Sequence, residues 1–419
     1  MIKKIPRYFF YLITSLLFPL ILIIIIFLKR FVIIRFMSIT TNRIGHFAGN
    51  IEMYLCRRDK NNETKKYYDI SFYQTMVSNN TLAEMWKKKL NVYPNYFVFP
   101  IFIFLKFFSK FFNFLKIHIV QDDSIDNRDY DNFLDNMPAH LKISNNQHIK
   151  GRKYLKKFGL TNEDKFVCFI VRDEAYLNHY FPNTNWSHWS YRNYDINSFV
   201  LAAEELTKLG YFVFRMGKLT HEKMNTKNEM IIDYSKSPIR NDFLDIYLGA
   251  NCEFCLTTDC GFDYVPFIFR RPLASITDPI SLIKFSSKRF LNIYSDYFSI
   301  NENKKLSLSE IFEYNIAHYP NANDLHKKKM KLIHPDQYQI KNLALDMVSY
   351  IHNDFKLSES DEKLQFKFFE IYKKKINTDQ FKECFLKDLK KEKNTKKLHN
   401  KYYGRISPSF IVKNKLLIN

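Results

Sequence analysis

Residues 166–173 read FVCFIVRD, an apolar run that stops abruptly at Arg172 and Asp173. Two further stretches have the same form: residues 211–218 read YFVFRMGK, and residues 252–261 read CEFCLTTDCG. Short apolar runs bounded by polar residues are typical of buried strands in a parallel sheet. Ligands of open α/β sheets bind beyond the carboxyl ends of the strands. The pattern therefore predicts an α/β domain with a nucleotide-type binding site at the polar ends of these runs.

The composition is strongly basic and poor in glycine. Lys and Arg total 64 against 43 Asp and Glu, a formal net charge of +21, and only nine of the 419 residues are Gly. So few glycines argue against a fold that relies on several glycine-rich phosphate loops. The positive excess favours anionic partners, namely nucleic acid, a phospholipid surface or phosphorylated substrates. A compositional bias toward Lys is the alternative explanation.

The six cysteines lie mostly inside apolar runs, as reduced core thiols do. Cys252 and Cys255 have the spacing of a metal-binding pair, but residues three apart on one strand point to opposite faces. No second pair completes a zinc set. The sequence therefore predicts reduced thiols in a reducing compartment and no metal site.

Two apolar blocks indicate contact with a membrane. Residues 8–28 contain no charged side chain and are long enough to span a bilayer, which predicts an N-terminal anchor helix at 1–30. The second block predicts a helix at 96–117 that lies in the membrane interface, because three lysines interrupt it roughly on one side. For both blocks the alternative is a helix buried in the protein core. Basic residues flank the first block on both sides, so its orientation stays open.

A predicted strand at 31–40 leads into the turn NRIGHFAGN at 42–50, after which helical spacing resumes. Backbone amides at the start of such a helix suit an anion or a sugar hydroxyl. Arg43, Gly45 and His46 are the candidate residues of this turn. Its glycine spacing matches neither a dinucleotide-binding fingerprint nor a P-loop, and a plain tight turn is the alternative.

Cations and hydroxyls follow the three central strand runs. Arg172, Arg215 and Lys218 come directly after the first two, and parallel strands bring their carboxyl ends to one edge of a sheet. Converging cations of this kind bind a diphosphate, with Arg offering bidentate donors. The turn after the third run supplies further candidates: Thr257, Thr258, Asp259 and Gly261. The alternative is that the arginines pair with surface carboxylates, for which Asp173 and Asp259 are available.

The connection at 176–193 is much longer than the usual strand-to-helix loop of about 2–6 residues. It is rich in aromatic side chains with polar tips, which bind sugar rings and nucleobases. We therefore predict a sugar-positioning role for its residues His179, Tyr180, Tyr191 and Arg192. A lid that packs only on itself is the alternative.

Several of these strings resemble a bacterial family of surface-polysaccharide glycosyltransferases. They are RIGHFAGN (43–50), CFIVRDEAYLNHYFPNT (168–184), SYRN (190–193), FRMGK (214–218) and TTDCGFDYVPFIFRRP (257–272). The resemblance implies a GT-B-like architecture, in which two Rossmann-like domains face each other across a cleft. It implies a nucleotide-sugar donor in the C-terminal domain and a glycan acceptor in the N-terminal one, and the two apolar blocks suggest that the acceptor is lipid-linked. Most such enzymes need no metal ion and no cofactor.

On this basis we predict a membrane anchor at 1–30, an acceptor domain at 31–150, a donor domain at 151–356 and a Lys-rich helical tail at 357–419. His46 is the first candidate for the base that activates the acceptor hydroxyl, because His titrates near neutrality; Asp173 is the second. We expect a protein of the inner membrane whose catalytic part faces the cytoplasm. Two other functions remain open: a non-catalytic scaffold for polysaccharide assembly, and a basic nucleic-acid-binding protein. The donor, the acceptor and the stereochemistry also remain open.

Overall fold

The structure is a computed structural model that describes residues 7–63, 66–74, 76–120, 128–129, 131–318, 322–352, 358–378 and 403–418. It divides into two compact units. Unit 1 comprises Met1–Asp129 and Met137–Lys142, and unit 2 comprises Tyr130–Asn136 and Ile143–Asn419. The chain therefore enters unit 2 briefly before a last segment of unit 1, whereas the sequence interpretation placed a single boundary at 150.

Unit 1 is built on two parallel strands with helices around them. Its elements are α1 (Arg7–Leu28), β1 (Ile33–Ile39), α2 (Ile44–Lys60), β2 (Tyr67–Tyr73), α3 (Asn80–Lys87) and α4 (Asn95–Phe108). The two strands pair in parallel, with Ile33 opposite Tyr67. Single parallel bridges extend the pair on either side, at Phe36–Ile119 and Ser71–Val92. Among the described residues, this two-stranded sheet is much smaller than the sheet of a Rossmann-like domain, which the sequence interpretation expected in this part of the chain.

The apolar helices α1 and α4 pack on each other and on the two strands through aromatic rings. The ring of Phe72 on β2 lies 5.4 Å from that of Phe102 on α4, and Phe18 on α1 lies 5.4 Å from Phe108. The predicted single helix at 96–117 is wrong. After Phe108 the helix gives way to a turn and then to a short 3₁₀ helix, Asn113–His118. Ser109 ends the helix, with its hydroxyl donating to the carbonyl of Lys106.

Both apolar helices also present apolar side chains to the outside. On α4, Val98, Phe102 and Leu105 are buried, while Phe97 and Phe107 are about half exposed. One face of α4 docks in the core, as the core-helix alternative requires, and the contact of its other face with a membrane stays a prediction. Within the described residues, one helix has the length and composition to span a membrane, Phe9–Leu28, a test that a buried core helix or a signal sequence also passes.

Unit 2 is a larger α/β structure. Its helices are α5 (Phe133–Asn136), α6 (Asn145–Lys156), α7 (Ala175–Tyr180), α8 (Val200–Lys208), α9 (Asp242–Asn251), α10 (Tyr264–Ile268), α11 (Leu308–Glu313), α12 (Ala322–Lys327), α13 (Gln337–Ile351), α14 (Glu359–Ile376) and α15 (Pro408–Lys413). Its strands are β3 (Lys165–Ile170), β4 (Tyr211–Arg215), β5 (Ile231–Ile232), β6 (Cys255–Thr257), β7 (Leu273–Ile276), β8 (Phe290–Ile293), β9 (Asp296–Ser299), β10 (Lys304–Lys305), β11 (Met330–Ile333) and β12 (Arg405–Ile406).

Seven of these strands form one sheet in the order β12-β8-β7-β6-β3-β4-β5, and every pair in it is parallel. The three apolar runs of the sequence are therefore neighbours, with β3 between β4 and β6. Phe169 lies opposite Arg215, and Ile170 opposite Thr257, so the three strands end together. This confirms the α/β class and the common strand edge. Strands β9, β10 and β11 form a separate antiparallel sheet.

The third apolar run is shorter than its sequence indicates. Helix α9 continues to Asn251, Cys252 caps it, and the strand begins only at Cys255. The argument that the two cysteines sit on opposite faces of one strand is therefore wrong, because Cys252 lies outside the strand. Cys168, Cys252 and Cys255 are all buried free thiols in unit 2.

The C-terminal residues belong to the body of unit 2. Strand β12 pairs in parallel with β8, and the Gln365 side chain on α14 hydrogen-bonds the backbone of Ile406. Phe368 on α14 and Phe410 on α15 are buried in the main core. The segment predicted as a separate tail therefore covers one edge of the sheet. The most Lys-rich part of that tail, 379–402, lies outside the described residues.

Candidate functional site

The candidate site lies at the carboxyl edge of the large sheet, where β3 and β6 end side by side. The backbone N–H of Arg172 donates to the Thr258 hydroxyl at 2.8 Å, and the N–H of Thr258 donates to the carbonyl of Ile170 at 3.2 Å. These two bonds connect the segments that follow the two strands. Thr257 and Thr258 are buried. The predicted turn residues thus support the backbone that carries Arg172.

Arg172 lies at this edge without an ion-pair partner among the described carboxylates. Its Nε is buried without a hydrogen-bond partner, and no described carboxylate oxygen forms an ion pair with it. Its guanidinium carbon lies 5.9 Å from the centre of the Trp189 ring. Burial, followed by the charge of Arg192, lowers the pKa of Arg172 to about 10. A desolvated cation beside a like charge is a group that an anion would stabilise.

The neighbouring cations are already balanced by two carboxylates. Arg192 donates to Asp259 Oδ2 at 3.2 Å, and Lys284 Nζ lies 2.6 Å from Asp259 Oδ1 and 2.7 Å from Asp263 Oδ2. Burial opposes ionisation of Asp259, but the charges of Lys284 and Arg192 outweigh it and lower its pKa. Burial raises the pKa of Asp263 to about 6. With Arg172 included, three cations face two carboxylates, which leaves a positive excess.

Asp259 has a second function in the turn. Its φ of 53° lies in the left-handed region, where Asp is one of the more tolerated residues. Both of its carboxylate oxygens are bound by cations, so Asp259 organises the turn. Gly261, which begins the short 3₁₀ segment after it, is exposed.

In this structure Arg215 is not one of the accessible cations that could bind a diphosphate. Its side chain is only 1% exposed, and its Nη1 donates to Asp233 at 3.2 Å, to Thr220 at 2.9 Å and to Ser235. The alternative that a strand-terminal Arg pairs with a carboxylate therefore holds for Arg215. The main partner is Asp233, which was not among the partners expected from the sequence; Asp173 is more distant, at 3.9 Å.

Asp173 holds two segments of backbone in place. Its Oδ1 accepts from the N–H of Ala175 at the start of α7, and its Oδ2 accepts from the N–H of His221, each at 3.0 Å. Both oxygens are thus engaged by the protein itself. This arrangement suits a structural carboxylate better than the base for which Asp173 was the second candidate.

Lys218 lies on the loop that follows β4. Gly217 precedes it with a φ of 147°, and a Cβ there would come within 2.5 Å of the Thr220 side chain, so the loop conformation requires glycine. The Lys218 ammonium lies 5.6 Å from the centre of the Tyr180 ring. The structure therefore brings Lys218 to the aromatic connection.

The aromatic connection contains α7 and a short 3₁₀ segment, Ser187–Arg192. It packs partly on itself: the Tyr176 and Tyr180 rings are 4.6 Å apart, and those of His179 and Tyr180 are 4.9 Å apart. Its far end reaches the strand edge, where Arg192 binds Asp259. Tyr191 is half-buried against the main core, and His179 is exposed. The connection thus combines a self-packed lid with side chains at the candidate site.

The candidate acceptor residues lie in unit 1, where β1 leads into α2. Arg43 is the N-cap residue of α2, in extended conformation and without a side-chain capping bond. Gly45 is buried and His46 is half-buried in the first turn of the helix. The predicted order of strand, turn and helix is confirmed. Their role toward an acceptor stays a prediction.

Comparisons with known proteins give only remote similarities. No family model matches the chain, and no curated protein matches it. Among solved structures, the chain is similar to a family 9 glycosyl transferase from Veillonella parvula (11% identity, 62% of this chain, 86% of the other, TM-score 0.39). It is also similar to the ADP-heptose LPS heptosyltransferase II of E. coli (14%, 62%, 90%, 0.34) and to the iron-containing glycosyltransferase TibC of enterotoxigenic E. coli (13%, 57%, 57%, 0.30). At these values none of them assigns a function to this chain.

Three residues of the site were not predicted from the sequence: Lys284, Asp263 and Trp189. Lys284 lies between β7 and β8 in an otherwise apolar stretch, ISLIKF at 280–285, and a lone Lys in such a run was an available signal. Trp189 lies in the aromatic connection, in which only His179, Tyr180, Tyr191 and Arg192 were predicted to position a sugar. Asp263 had no local signal, because only the fold brings it to Lys284.

Proposed function

We propose that this protein is a membrane-associated glycosyltransferase that moves a sugar from a nucleotide-sugar donor to a surface-polysaccharide or lipid-linked glycan acceptor, without a metal ion. The observation that carries the proposal is Arg172, a desolvated cation without a carboxylate partner at the carboxyl edge of a parallel sheet. Ligands of open α/β sheets bind at this edge. A diphosphate supplies the anionic oxygens that the Arg172 guanidinium lacks.

In sugar transfer, negative charge develops on the leaving nucleoside diphosphate. A preorganised guanidinium at that position stabilises the developing charge and needs no metal ion to do so. Thr258 holds the Arg172 backbone, and the Trp189 ring lies close to its guanidinium, so the cation is positioned before the donor binds. Arg192 adds positive potential although Asp259 already binds it. We therefore assign ligand binding to Arg172, and we assign a structural role to the ion-paired cations Arg192 and Lys284.

The residues that bind the sugar and the nucleobase are assigned from the aromatic connection and from the resemblance of the sequence strings to surface-polysaccharide glycosyltransferases. The rings of Tyr180 and Trp189 offer faces on which a sugar or nucleobase packs, and Lys218 lies beside Tyr180. His179 is exposed on the same connection. The acceptor side is assigned to Arg43, Gly45 and His46 of unit 1.

His46 is the proposed base, so its replacement has a specific signature. We expect His46→Gln to lower the transfer rate and to remove the limb of the pH–rate profile that a titrating imidazole produces near neutrality. The measurement is the pH dependence of kcat/KM for wild type and variant. A profile that keeps the same shape and midpoint in the variant would remove His46 from the base role.

Membrane association is supported by the apolar side chains that α1 and α4 present outward, among them Leu16, Leu20 and Phe107. We place the protein on the inner membrane with its catalytic part on the cytoplasmic side. Full-length protein should float with phosphatidylethanolamine–phosphatidylglycerol vesicles in a density gradient, also at about 1 M salt, where screening removes purely electrostatic binding. A Leu16→Lys/Leu20→Lys variant should float less. Loss of wild-type flotation at high salt would show attraction by the +21 charge alone.

The direct test of the function is a thermal-shift screen of detergent-solubilised protein against UDP-, GDP- and ADP-sugars. A ligand that binds only the folded state at about 100 times its Kd stabilises that state by about 2.7 kcal/mol. We expect one nucleotide class to raise the Tm, and transfer or donor hydrolysis to follow with that donor. Stabilisation without either reaction would favour the scaffold, and salt-sensitive DNA binding without any nucleotide-sugar shift would favour the nucleic-acid-binding alternative.

A further inference from the structure

A second cluster of reactive side chains lies in unit 1, further along the helix α2 whose first turn carries Gly45 and His46. Glu52 and Cys56 are one helical turn apart on α2, and His140 comes from the short segment Met137–Lys142. Glu52 Oε1 lies 3.1 Å from His140 Nδ1 and 3.8 Å from Cys56 Sγ, and Cys56 Sγ lies 4.0 Å from His140 Nδ1. One carboxylate, one thiol and one imidazole therefore converge on a single point.

These separations resemble the edges of a tetrahedral zinc site. Zinc–ligand distances of about 2.3 Å for sulfur and about 2.0–2.2 Å for nitrogen and oxygen place neighbouring ligand atoms about 3.3–3.6 Å apart. The three measured edges bracket that range, so shifts of a few tenths of an ångström suffice to close the site. Zinc is the metal that takes thiolate, imidazole and carboxylate together in this geometry.

The other nitrogen of His140 strengthens the assignment. His140 Nε2 lies 3.0 Å from Asp59 Oδ2, so Nδ1 faces the proposed metal while the opposite N–H donates to a carboxylate. Metal-ligating histidines almost always have such a carboxylate or carbonyl behind them, which fixes the tautomer and the ring orientation. The cluster thus contains the ligands and the group that orients one of them.

Burial makes a cation favourable here. Glu52 and Cys56 are fully buried, and a buried carboxylate is costly without a compensating charge. A dication bound between Glu52, Cys56 and His140 would supply that charge and also engage the thiolate.

We propose that Glu52, Cys56 and His140 bind a structural zinc ion, with Asp59 orienting His140 and water completing the coordination. The ion would join the segment that bears His140 to α2. This departs from the expectation of no metal site, which considered only closely spaced cysteines. The site is independent of the proposed sugar transfer, which needs no metal ion.

The test is zinc binding by the full-length purified protein. After chelation and re-addition of Zn²⁺, we expect one zinc per chain in wild type and in the thiol control Cys260→Ser. Cys56→Ser and His140→Ala should retain none after desalting, and Asp59→Asn should bind it about 10–100-fold more weakly. Zn²⁺ should raise the Tm of wild type but not that of Cys56→Ser. Wild-type protein that takes up no zinc, or takes up as much as Cys56→Ser does, would overturn the proposal.

A measurement on wild type alone covers the case in which the variants do not fold. Co²⁺ bound in place of Zn²⁺ should show the near-ultraviolet charge-transfer band of a thiolate ligand together with the strong visible bands of a tetrahedral centre. A bound Co²⁺ without a thiolate band would exclude Cys56 as a ligand. The proposal would then fail in favour of a hydrogen-bonded trio of Glu52, His140 and Asp59.

Discussion

Arg172→Ala will lower sugar-transfer activity at least tenfold, a loss of about 1.4 kcal/mol of transition-state stabilisation. The reason is that Arg172 is a desolvated strand-edge cation with which no described carboxylate forms an ion pair, so an anionic ligand is its natural partner. The same variant should unfold at an unchanged or slightly higher denaturant concentration without ligand, because it removes a desolvated charge beside Arg192. Activity with the donor identified by the thermal-shift screen, and urea unfolding without ligand, measure the two effects.

Two further variants sharpen this prediction. Arg172→Lys keeps the charge but loses the planar fork that binds two oxygens, so we expect it to recover activity only in part. Arg152→Ala on α6 removes one positive charge elsewhere in unit 2 and should leave donor binding near the wild-type value. Turnover close to wild type in Arg172→Ala would remove the diphosphate role and, with it, the observation on which the proposed function rests.

Arg215→Ala should act on stability instead. Its guanidinium is 1% exposed and bound to Asp233, so truncation leaves a buried carboxylate without its cation. Breaking a buried ion pair from one side costs about 3–5 kcal/mol. Chemical denaturation followed by circular dichroism should show this loss, and any fall in activity should follow the folded fraction.

A double variant distinguishes a structural role from a ligand-binding one. Arg215→Met with Asp233→Asn removes both charges and keeps most of the volume, so it should recover part of the stability lost in Arg215→Ala. If Arg215→Ala instead folds with nearly wild-type stability but no longer binds the nucleotide, Arg215 is one of the diphosphate-binding cations that the strand pattern predicted.

Arg172 and Arg215 show how much of the site a local sequence pattern can predict. Each follows or ends a buried strand, and the two are equivalent in sequence terms. Their difference comes from residues distant in the chain: Asp233 forms an ion pair with Arg215, while the Asp259 carboxylate forms ion pairs with Arg192 and Lys284 and not with Arg172. Lys284 lies 25 residues beyond Asp259 in a segment without a recognisable motif. Pairing between such groups depends on side-chain packing and competition for partners, which local sequence does not encode.

The run FVCFIVRD and its two companions were sufficient, by themselves, to establish the parallel sheet and the edge at which a ligand would bind. The length of an apolar run and the polar residues that bound it are local properties of the sequence, so the three strands and their common end could be predicted. The sequence also determined the apolar character of residues 8–28 and the strand-turn-helix that bears His46. Only the tertiary structure decided which strand-edge cation keeps its charge available, and that Glu52, Cys56 and His140 meet. Both outcomes depend on burial and on partners brought together from distant parts of the chain, where desolvation determines the energy of each charge.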